Sequence, residues 1–402
     1  MTRLCALVGA VVVVAGVGDG AAWAQESNLA PVSAAGAQTP AGWSFTPSLT
    51  YAGGWDDNVL VRGNGDSLTK SFLNVINPRG SLDLNGRLTQ LSVAYDGAFV
   101  LYPQLGSLNS YDQHASISGR RRVSPHVSVF VNNTAAAVPT TELAQFIGVP
   151  FVRTGSRLDD LRTGVEAAFS KRTSMVASYD FQWVQFDQGQ QVFDALRGGH
   201  SHGGTLSIKH ARTDHFSLTA DYDFQHATIG AAAQAFDVQN VSAGGDYKLS
   251  DQTRLFASAG VSRLGVTETS EVRMGPAWRV GLRHAFRSAF VDVLYSRSFI
   301  PSYGFGGTMQ NEEAATRFRV PLSRRTYTTG GVSWRRNDPL ASGDLPLRSY
   351  WVEGNLGYSA TPWVHLELFY AGTRQTIDRP GGIVDRNRIG FQITTAKPVR
   401  MK

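Results

Sequence analysis

Paired acids and scattered histidines are the residues of this chain best suited to hydrolytic chemistry. An aspartate that orients a histidine, beside a second acidic pair that activates water, can cleave a peptide bond. The candidates are Asp56, Asp57, Asp159, Asp160, His200, His202 and His226. No local motif fixes their mutual geometry, because acids and histidines are also common where a strand meets a loop.

Three other groups of residues indicate a site only weakly. His200 and His202 have the His-x-His spacing of a metal site, and residues 63–66 (GNGD) match part of a calcium-binding turn. A serine beside His210 or His284 could serve a phospholipase. Polar turns and strand surfaces explain each group better, since the remaining ligands and partners are missing. We therefore predict no catalytic, metal-binding or cofactor-binding residue.

Charged side chains that alternate with apolar ones form a larger candidate set. The basic members are Arg79, Lys209, Arg279, Arg283, Arg317, Arg319, Arg335, Arg386 and Arg388. The acidic members are Asp96, Asp180, Asp221, Asp223, Asp246, Glu353 and Glu367. Most of these acids lie before residue 247, whereas most of the arginines lie after residue 278. Around a water-filled space, this uneven distribution would set up a transverse electric field, and the net charge of +6 favours anions. The same charges could equally pair with each other and only brace and hydrate a wall.

The stretch FSLTADYDF at 216–224 shows which element positions these charges. Leu218, Ala220 and Tyr222 fall on one side of an extended chain, and Thr219 and Asp221 fall on the other, because a strand turns alternate side chains to opposite faces. The same period of two returns in runs that begin near residues 43, 70, 88, 110, 127, 158, 174, 201, 216, 237, 254, 277, 289, 314, 326, 347, 363 and 384. A helical period fits none of them. The chain is therefore predicted to be all-β, with about 18 strands.

The connections between these runs alternate in length. After even-numbered strands they are tight, as at 85–87 and 124–126; after odd-numbered strands they are longer and rich in glycine and polar residues, as at 61–67, 134–157, 187–201 and 303–314. Short turns at one end and long loops at the other are the signature of a transmembrane barrel, which must close because lipid cannot hydrogen-bond a free edge. We predict a transmembrane antiparallel up-and-down β-barrel with short periplasmic turns and longer extracellular loops. A soluble β-repeat such as a propeller, whose apolar face would point inward, is the alternative.

A barrel of this size is wide enough for an aqueous channel unless loops fill it. Residues 134–157 could fold inward and constrict it, because the stretch LAQFIGVPF at 143–151 is apolar enough to pack against the barrel wall or a neighbouring subunit. An ordinary surface loop explains the stretch equally well.

The amino terminus has the features of a secreted chain. Residues 1–24 are predicted to be a signal peptide, with a cationic start, an apolar run at 4–17 and a small-x-small cleavage site at 22–24. Residues 25–42 are predicted to be a flexible periplasmic lead-in, and residues 43–402 the barrel, integral to the cell outer membrane with both termini in the periplasm. Cys5, the only cysteine, falls in the signal, so disulfides and zinc–thiolate sites are excluded from the mature chain.

Residues 43–61 (WSFTPSLTYAGGWDDNVLV) resemble the first strand of outer-membrane β-barrel porins, in which an aromatic-rich strand ends in an Asp-Asn-Val-like stretch. Asp57, Asn58 and Val59 match that stretch, and residues 386–400 are similar to the final strand of the group. The resemblance covers the whole chain in architecture, and it implies a porin-like barrel of a kind often associated with surface-polysaccharide production. One departure is that Phe391 is followed by eleven residues, whereas many such barrels end on an aromatic assembly signal.

Three functions follow from these expectations. The first is a channel for passive diffusion of small hydrophilic, preferentially anionic, solutes. The second is a non-enzymatic accessory for exopolysaccharide export or surface attachment. The third is a rim hydrolase built on Asp56 and Asp57, like the omptin-type proteases, whose barrels have fewer strands. Expected partners are outer-membrane lipid and lipopolysaccharide, the barrel-assembly machinery, small anionic solutes or acidic polysaccharide, and two further copies in a homotrimer; nucleic acid is excluded by location.

Overall fold

The computed structural model describes residues 42–142, 149, 151–187, 196–230, 234–267, 271–286, 289–304, 308–340, 345–377 and 382–401. The predicted signal peptide and all of the predicted lead-in except Gly42 lie outside these residues and stay predictions. None of the helices in the described ranges is long and apolar enough to cross a membrane.

Strands dominate the described chain, together with one short 3-10 turn at Gly106–Leu108. The strands are β1 (Gly42–Asp56), β2 (Ser71–Asn85), β3 (Thr89–Leu101), β4 (Ser110–Arg122), β5 (Val127–Val138), β6 (Ser156–Ala168), β7 (Thr173–Phe186), β8 (Gly199–Ala211), β9 (Phe216–Ile229), β10 (Gln234–Lys248), β11 (Thr253–Val266), β12 (Val272–Phe286), β13 (Ala289–Pro301), β14 (Thr308–Pro321), β15 (Thr326–Pro339), β16 (Leu347–Thr361), β17 (Val364–Ile377), β18 (Ile383–Ala396) and the two-residue β19 (Val399–Arg400).

The strands form one antiparallel sheet that closes on itself. Each strand from β1 to β17 pairs with the next in chain order, and β18 closes the sheet by pairing with β1 from Ser48↔Ala396 to Asp56↔Arg388. β19 continues the ladder beside β1, with Ser44 opposite Arg400. The predicted all-β, closed, 18-stranded barrel is confirmed.

The two ends of the barrel differ in their connections, as predicted. Even-numbered strands lead into short turns such as 86–88, 169–172, 212–215 and 322–325, and odd-numbered strands lead into longer connections such as 57–70 and 139–155. The β9–β10 connection, residues 230–233, is an exception, because it is as short as the turns at the other end. We call the end with the uniformly short turns the short-turn end and the opposite end the loop end.

Alternate side chains point to the two faces of the wall. On β9, Leu218 and Tyr222 are 48% and 41% exposed on the outside, whereas Asp221 between them is 9% exposed on the inside. Aromatic and branched side chains fill most outward positions around the barrel, for example Tyr51, Ile76 and Phe99. Such an outward apolar face is stable in lipid, because hydrocarbon and not water then surrounds it.

A pair of substitutions on adjacent residues tests which face meets lipid. Val241 lies halfway along β10 and points outward, and its neighbour Ser242 points inward, opposite Asp221. We expect Val241→Arg to destabilise the barrel by about 2–4 kcal/mol, since a guanidinium is costly at the bilayer midplane. Ser242→Arg should change stability little, because it places a cation beside a carboxylate. Urea unfolding of barrels folded into lipid vesicles measures both, and equal losses would contradict the assignment of faces.

Candidate functional site

All the charged residues predicted to face the lumen lie on the side of their strands opposite the exposed apolar row. The basic residues on this inner face are Arg79, Lys209, Arg279, Arg283, Arg317, Arg319, Arg335, Arg386 and Arg388. The acidic residues there are Asp96, Asp180, Asp221, Asp223, Asp246, Glu353 and Glu367. Alternation along each strand fixes this placement, because a shift of one residue would move a whole row to the lipid side. Their role in lining a conducting pore stays a prediction.

Several of the basic residues are held in ion pairs on the inner wall. Three of these contacts are Lys209 Nζ to Asp246 at 2.7 Å, Arg335 to Glu313 at 2.9 Å, and Arg283 to Asp292 at 3.1 Å. The Arg335–Glu313 pair is almost fully buried, with both side chains 8% exposed. Glu313 and Asp292 were not among the predicted residues. Glu313 lies in a polar run at 310–313, and Asp292 lies in a mainly apolar run at 289–294. Neither run alternates clearly between polar and apolar residues, so the sequence did not indicate that both side chains point inward.

Carboxylates form one side of the lumen, on the inner faces of β6, β7 and β9. Thr205 Oγ1 donates to Asp223 at 2.6 Å, Ser207 Oγ donates to Asp221 at 2.6 Å, and the Arg162 guanidinium lies 3.4 Å from Asp180. Neutral hydroxyls thus supply most of the contacts to these acids. This wall carries negative charge that is only partly compensated by its immediate neighbours.

Arginines form another side of the lumen, on β11, β12 and β14 in the half nearer the short-turn end. Arg254 lies directly opposite Arg283 on adjacent strands, and Arg317 lies opposite Asp292. The Arg279 guanidinium lies 5.5 Å from the Phe256 ring centroid and that of Arg319 lies 4.9 Å from the Tyr327 ring, so both are supported by aromatic faces. These arginines lie on other strands than the acids of β6, β7 and β9, and the transverse field that such a split would set up stays a prediction.

Between these two walls lies a cavity of about 480 Å³. Its lining includes Asp180, Asp221 and Asp223 on one side and Arg279 and Arg283 on the other. A hydrophilic molecule in this space would meet groups of both signs and many hydroxyls. The geometry therefore provides a polar compartment inside an apolar shell.

Toward the loop end the inner face of β6–β11 becomes apolar, which the sequence pattern did not indicate. Val184, Phe186, Ile229, Phe236 and Val238 are all buried there in one cluster, which also includes Val149 and Tyr303. These side chains face inward yet lie out of water, because segments from the loop end fold over them. One such contact joins two loops, since Arg197 and Gly304 exchange backbone hydrogen bonds of 2.7 Å.

The β5–β6 connection reaches across to the seam where β1 meets β18. Its Glu142 pairs with Arg386 and, at 3.3 Å, with Arg388. Its Phe151 N–H donates to Gln375 Oε1 at 2.5 Å, and the Gln375 amide donates back to the Phe151 carbonyl at 3.3 Å. The described part of this connection therefore folds inward. Residues 143–148 and 150 lie outside the described residues.

A buried arginine anchors this contact. Arg386 is 3% exposed, and its guanidinium donates two bonds to Asp56, from Nε at 3.0 Å and from Nη2 at 2.5 Å. The Phe151 ring covers it, with the guanidinium carbon 5.6 Å from the ring centroid. Burial would raise the pKa of Glu142, but the positive charges of Arg388 and Arg386 hold that pKa below the usual range of a glutamate. We call Asp56, Glu142, Arg386 and Arg388 the seam network.

The Asp-Asn-Val stretch beside Asp56 secures the same seam. Asp57 accepts bonds from the backbone and side-chain nitrogens of Asn387, at 2.7 and 2.8 Å. Asn58 is fully buried, and its amide donates 2.8 Å bonds to the carbonyls of Arg62 and Asp385. Val59 packs in an apolar cluster with Val75 and Tyr102. The motif thus ties the first long loop to β18.

The candidate hydrolytic residues are not assembled into one site. Asp56 points inward to Arg386 and Asp57 points to Asn387, on the opposite side of the barrel from the histidines. His226 does contact an acid, Asp237, at 2.7 Å, but both lie on the outward face. Among the described residues, no group of three or more histidines, cysteines or acids has the geometry to hold a metal ion.

No protein-family model matches the chain, and no curated protein matches it. Solved structures with a similar arrangement include OpdQ from Pseudomonas aeruginosa, at 9% identity and a TM-score of 0.47, covering 89% of this chain and 98% of that one. OccAB3 from Acinetobacter baumannii is 12% identical with a TM-score of 0.45, over 89% and 99% of the two chains. The outer membrane protein opdK from Pseudomonas aeruginosa is 10% identical with a TM-score of 0.44, over the same shares.

The strand pairing of this chain shows that the wall is closed. The exposure of its side chains shows that the outside is apolar and that charged residues point inward. The chain is an antiparallel, 18-stranded barrel of the outer-membrane type.

Proposed function

We propose that the protein is an outer-membrane channel for the passive diffusion of small hydrophilic solutes. The observation that carries this proposal is the charged, hydroxyl-rich cavity between the carboxylate and arginine walls, enclosed by a barrel whose exterior is apolar. A charged interior costs free energy unless each charged group has water or a partner, so a barrel with no solute path would gain nothing from it. A solute path through the lumen accounts for it.

The orientation follows from the general architecture of such barrels. Short turns face the periplasm and long loops face outside in outer-membrane barrels, so the short-turn end and both termini belong in the periplasm. Under this proposal the inward-folded β5–β6 connection narrows the path near the outer mouth. Assembly by the barrel machinery, contact with lipopolysaccharide and trimer formation stay predictions.

A preference for anions is the finer part of the proposal. It is supported by the arginines on β11, β12 and β14, where Asp292 is the acid in contact with Arg283. The carboxylate wall on β6–β9 opposes it, so we expect the preference to arise in the half of the lumen nearer the short-turn end. The alternative role in polysaccharide export or attachment has no specific support in the geometry and stays a hypothesis.

Conductance of the purified protein in a planar lipid bilayer tests the channel. We expect discrete, ohmic current steps, because ions can cross a polar lumen without a moving carrier. A boiled sample of the same preparation is the control for detergent leaks. If folded barrels inserted repeatedly into the bilayer and no current steps were seen, the proposal would be contradicted, even if the barrel were fully stable.

A further inference from the structure

The lipid-facing wall of β8–β11 contains a groove of about 510 Å³. Small residues form its floor, because Ala220, Ala243 and Ala259 are direct neighbours across three strands. Leu206 and Ile208 rise on one side, and Tyr222, Val241 and Val261 close it toward the loop end. The next outward pair toward the short-turn end is Gly245 and Ala257, and the Phe216 ring lies over Gly245.

Two other lipid-facing rows carry large side chains throughout. Tyr51, Ile76 and Phe99 form one such row across β1–β3, and Leu356, Leu368 and Phe391 form another across β16–β18. All six are well exposed on the outer surface. The outer face of β9–β11 therefore differs from these two rows in having small residues at neighbouring positions.

Basic residues lie at the short-turn end on the same side of the barrel. Lys171 and Arg172 are in the β6–β7 turn and Arg212 is in the β8–β9 turn; all three are exposed. The two turns are joined, because the backbone N–H of Ala211 donates to the Arg172 carbonyl at 2.7 Å. Asp214 is the acid in these turns, so the cluster keeps a net positive charge.

The distance between groove and basic turns fits one lipid leaflet. Ala243 lies five residues before Lys248, the last residue of β10. At roughly 3.4 Å per residue and a strand tilt of about 40°, that is about 13 Å of depth, close to half of a hydrocarbon core of about 30 Å. An acyl chain that ends in the groove therefore has its headgroup at the level of the turns.

We propose that this surface binds one anionic glycerophospholipid, from the leaflet on the short-turn side. The acyl chain lies over Ala220, Ala243 and Ala259, and the phosphate lies between Arg172 and Arg212. Apolar burial in the groove gives affinity for any chain, and the two guanidinium groups select a headgroup that carries net negative charge. The proposal concerns the outer wall and is independent of whether the lumen conducts.

Native mass spectrometry of the full barrel, with palmitoyl-oleoyl phosphatidylglycerol or the matching phosphatidylcholine added, tests the site. We expect one phosphatidylglycerol to remain bound at concentrations where phosphatidylcholine does not. Arg172→Gln with Arg212→Gln should weaken phosphatidylglycerol binding by roughly 10- to 30-fold, because each basic residue near a lipid headgroup contributes about 1 kcal/mol. Ala220→Leu with Ala243→Leu, which fills the groove, should abolish the one tightly bound lipid.

Matched controls separate this site from general contact with lipid. Arg324→Gln with Arg325→Gln removes two charges from another short turn, and Ala115→Leu with Ala135→Leu adds the same bulk on the outer face of β4 and β5; neither should change binding. Equal retention of the two lipids would overturn the proposal. So would unchanged phosphatidylglycerol binding in either test variant. Since binding is measured in detergent without a membrane, a protein that fails to conduct leaves this result unaffected.

Discussion

Replacing Arg386 by methionine is expected to destabilise the barrel by about 3–5 kcal/mol, because it leaves a carboxylate buried without its cation. Asp56 is fully buried and receives two bonds from Arg386. Methionine fills much of the same volume, so the loss reports charge and hydrogen bonding more than packing. The unfolding temperature in detergent, read from the shift in electrophoretic mobility between folded and unfolded barrel, measures the effect.

The same substitution should also widen the channel. Glu142 would keep only its contact with Arg388, so the β5–β6 connection would be held less firmly against the seam. We expect larger and noisier current steps than those of the unaltered protein. Arg374→Met is the matched control, because Arg374 is 56% exposed and 3.6 Å from Asp385, and such surface pairs contribute about 0–1 kcal/mol. If Arg386→Met were as stable as the control, the seam network would not anchor the segment.

Reversing two arginines of the lumen should change which ions pass. For Arg279→Glu combined with Arg283→Glu, we expect the anion-to-cation permeability ratio to fall by roughly tenfold, equivalent to about 1.4 kcal/mol for a permeant ion. Both side chains line the cavity, and the change adds to the negative charge of the facing carboxylates. The reversal potential under a potassium chloride gradient measures the ratio.

A control with the same change of charge lies on the other face of the wall. Arg348→Glu with Arg374→Glu alters two arginines that point outward near the loop end. We expect this double variant to leave the permeability ratio nearly unchanged, because the barrel wall separates these charges from the lumen and the surrounding salt solution screens them. Equal shifts in the two double variants would show that net charge, and not the lumen, sets the preference.

The barrel was predictable because two independent signals in the sequence agree. The alternation of apolar and polar residues, as at Leu218 and Asp221, predicted which side chains point outward and which point inward. The alternation of short and long connections predicted which end of the barrel carries the turns and which carries the loops. Two strands begin five or six residues earlier than the pattern indicated, near residues 272 and 308 instead of 277 and 314. In β12, Pro276 concealed the start; it is tolerated because β12 pairs with β13 only from Trp278 onward.

In β14 the start was concealed by polarity on both faces. Asn311 and Glu313 point inward, whereas Gln310 and Glu312 point outward and bind Arg297 and Tyr295. These outward polar groups are tolerated because each is hydrogen-bonded to a side chain of the neighbouring strand. Alternation between apolar and polar residues, the signal that the other strands carry, is therefore absent.

The contacts that shape the lumen were not predictable from any local pattern. Glu142 and Arg386 are 244 residues apart in the chain, and Gln375 and Phe151 are 224 apart. The period of a strand says which way Arg386 points but not which loop will meet it. The apolar cluster around Phe186 and Phe236 was missed for a similar reason, since it depends on other segments that cover it.

The seam network brings together residues from the first strand, the last strand and a loop between them. Asp56 and Arg386 are 330 residues apart in the chain, and their contact exists only when the cylinder is sealed. Long-range contacts of this kind form late, because most of the chain must be ordered first. We therefore expect the β5–β6 segment to reach the seam only after β1 and β18 have paired. Protection of Glu142 and Phe151 from solvent thus reports the completion of assembly.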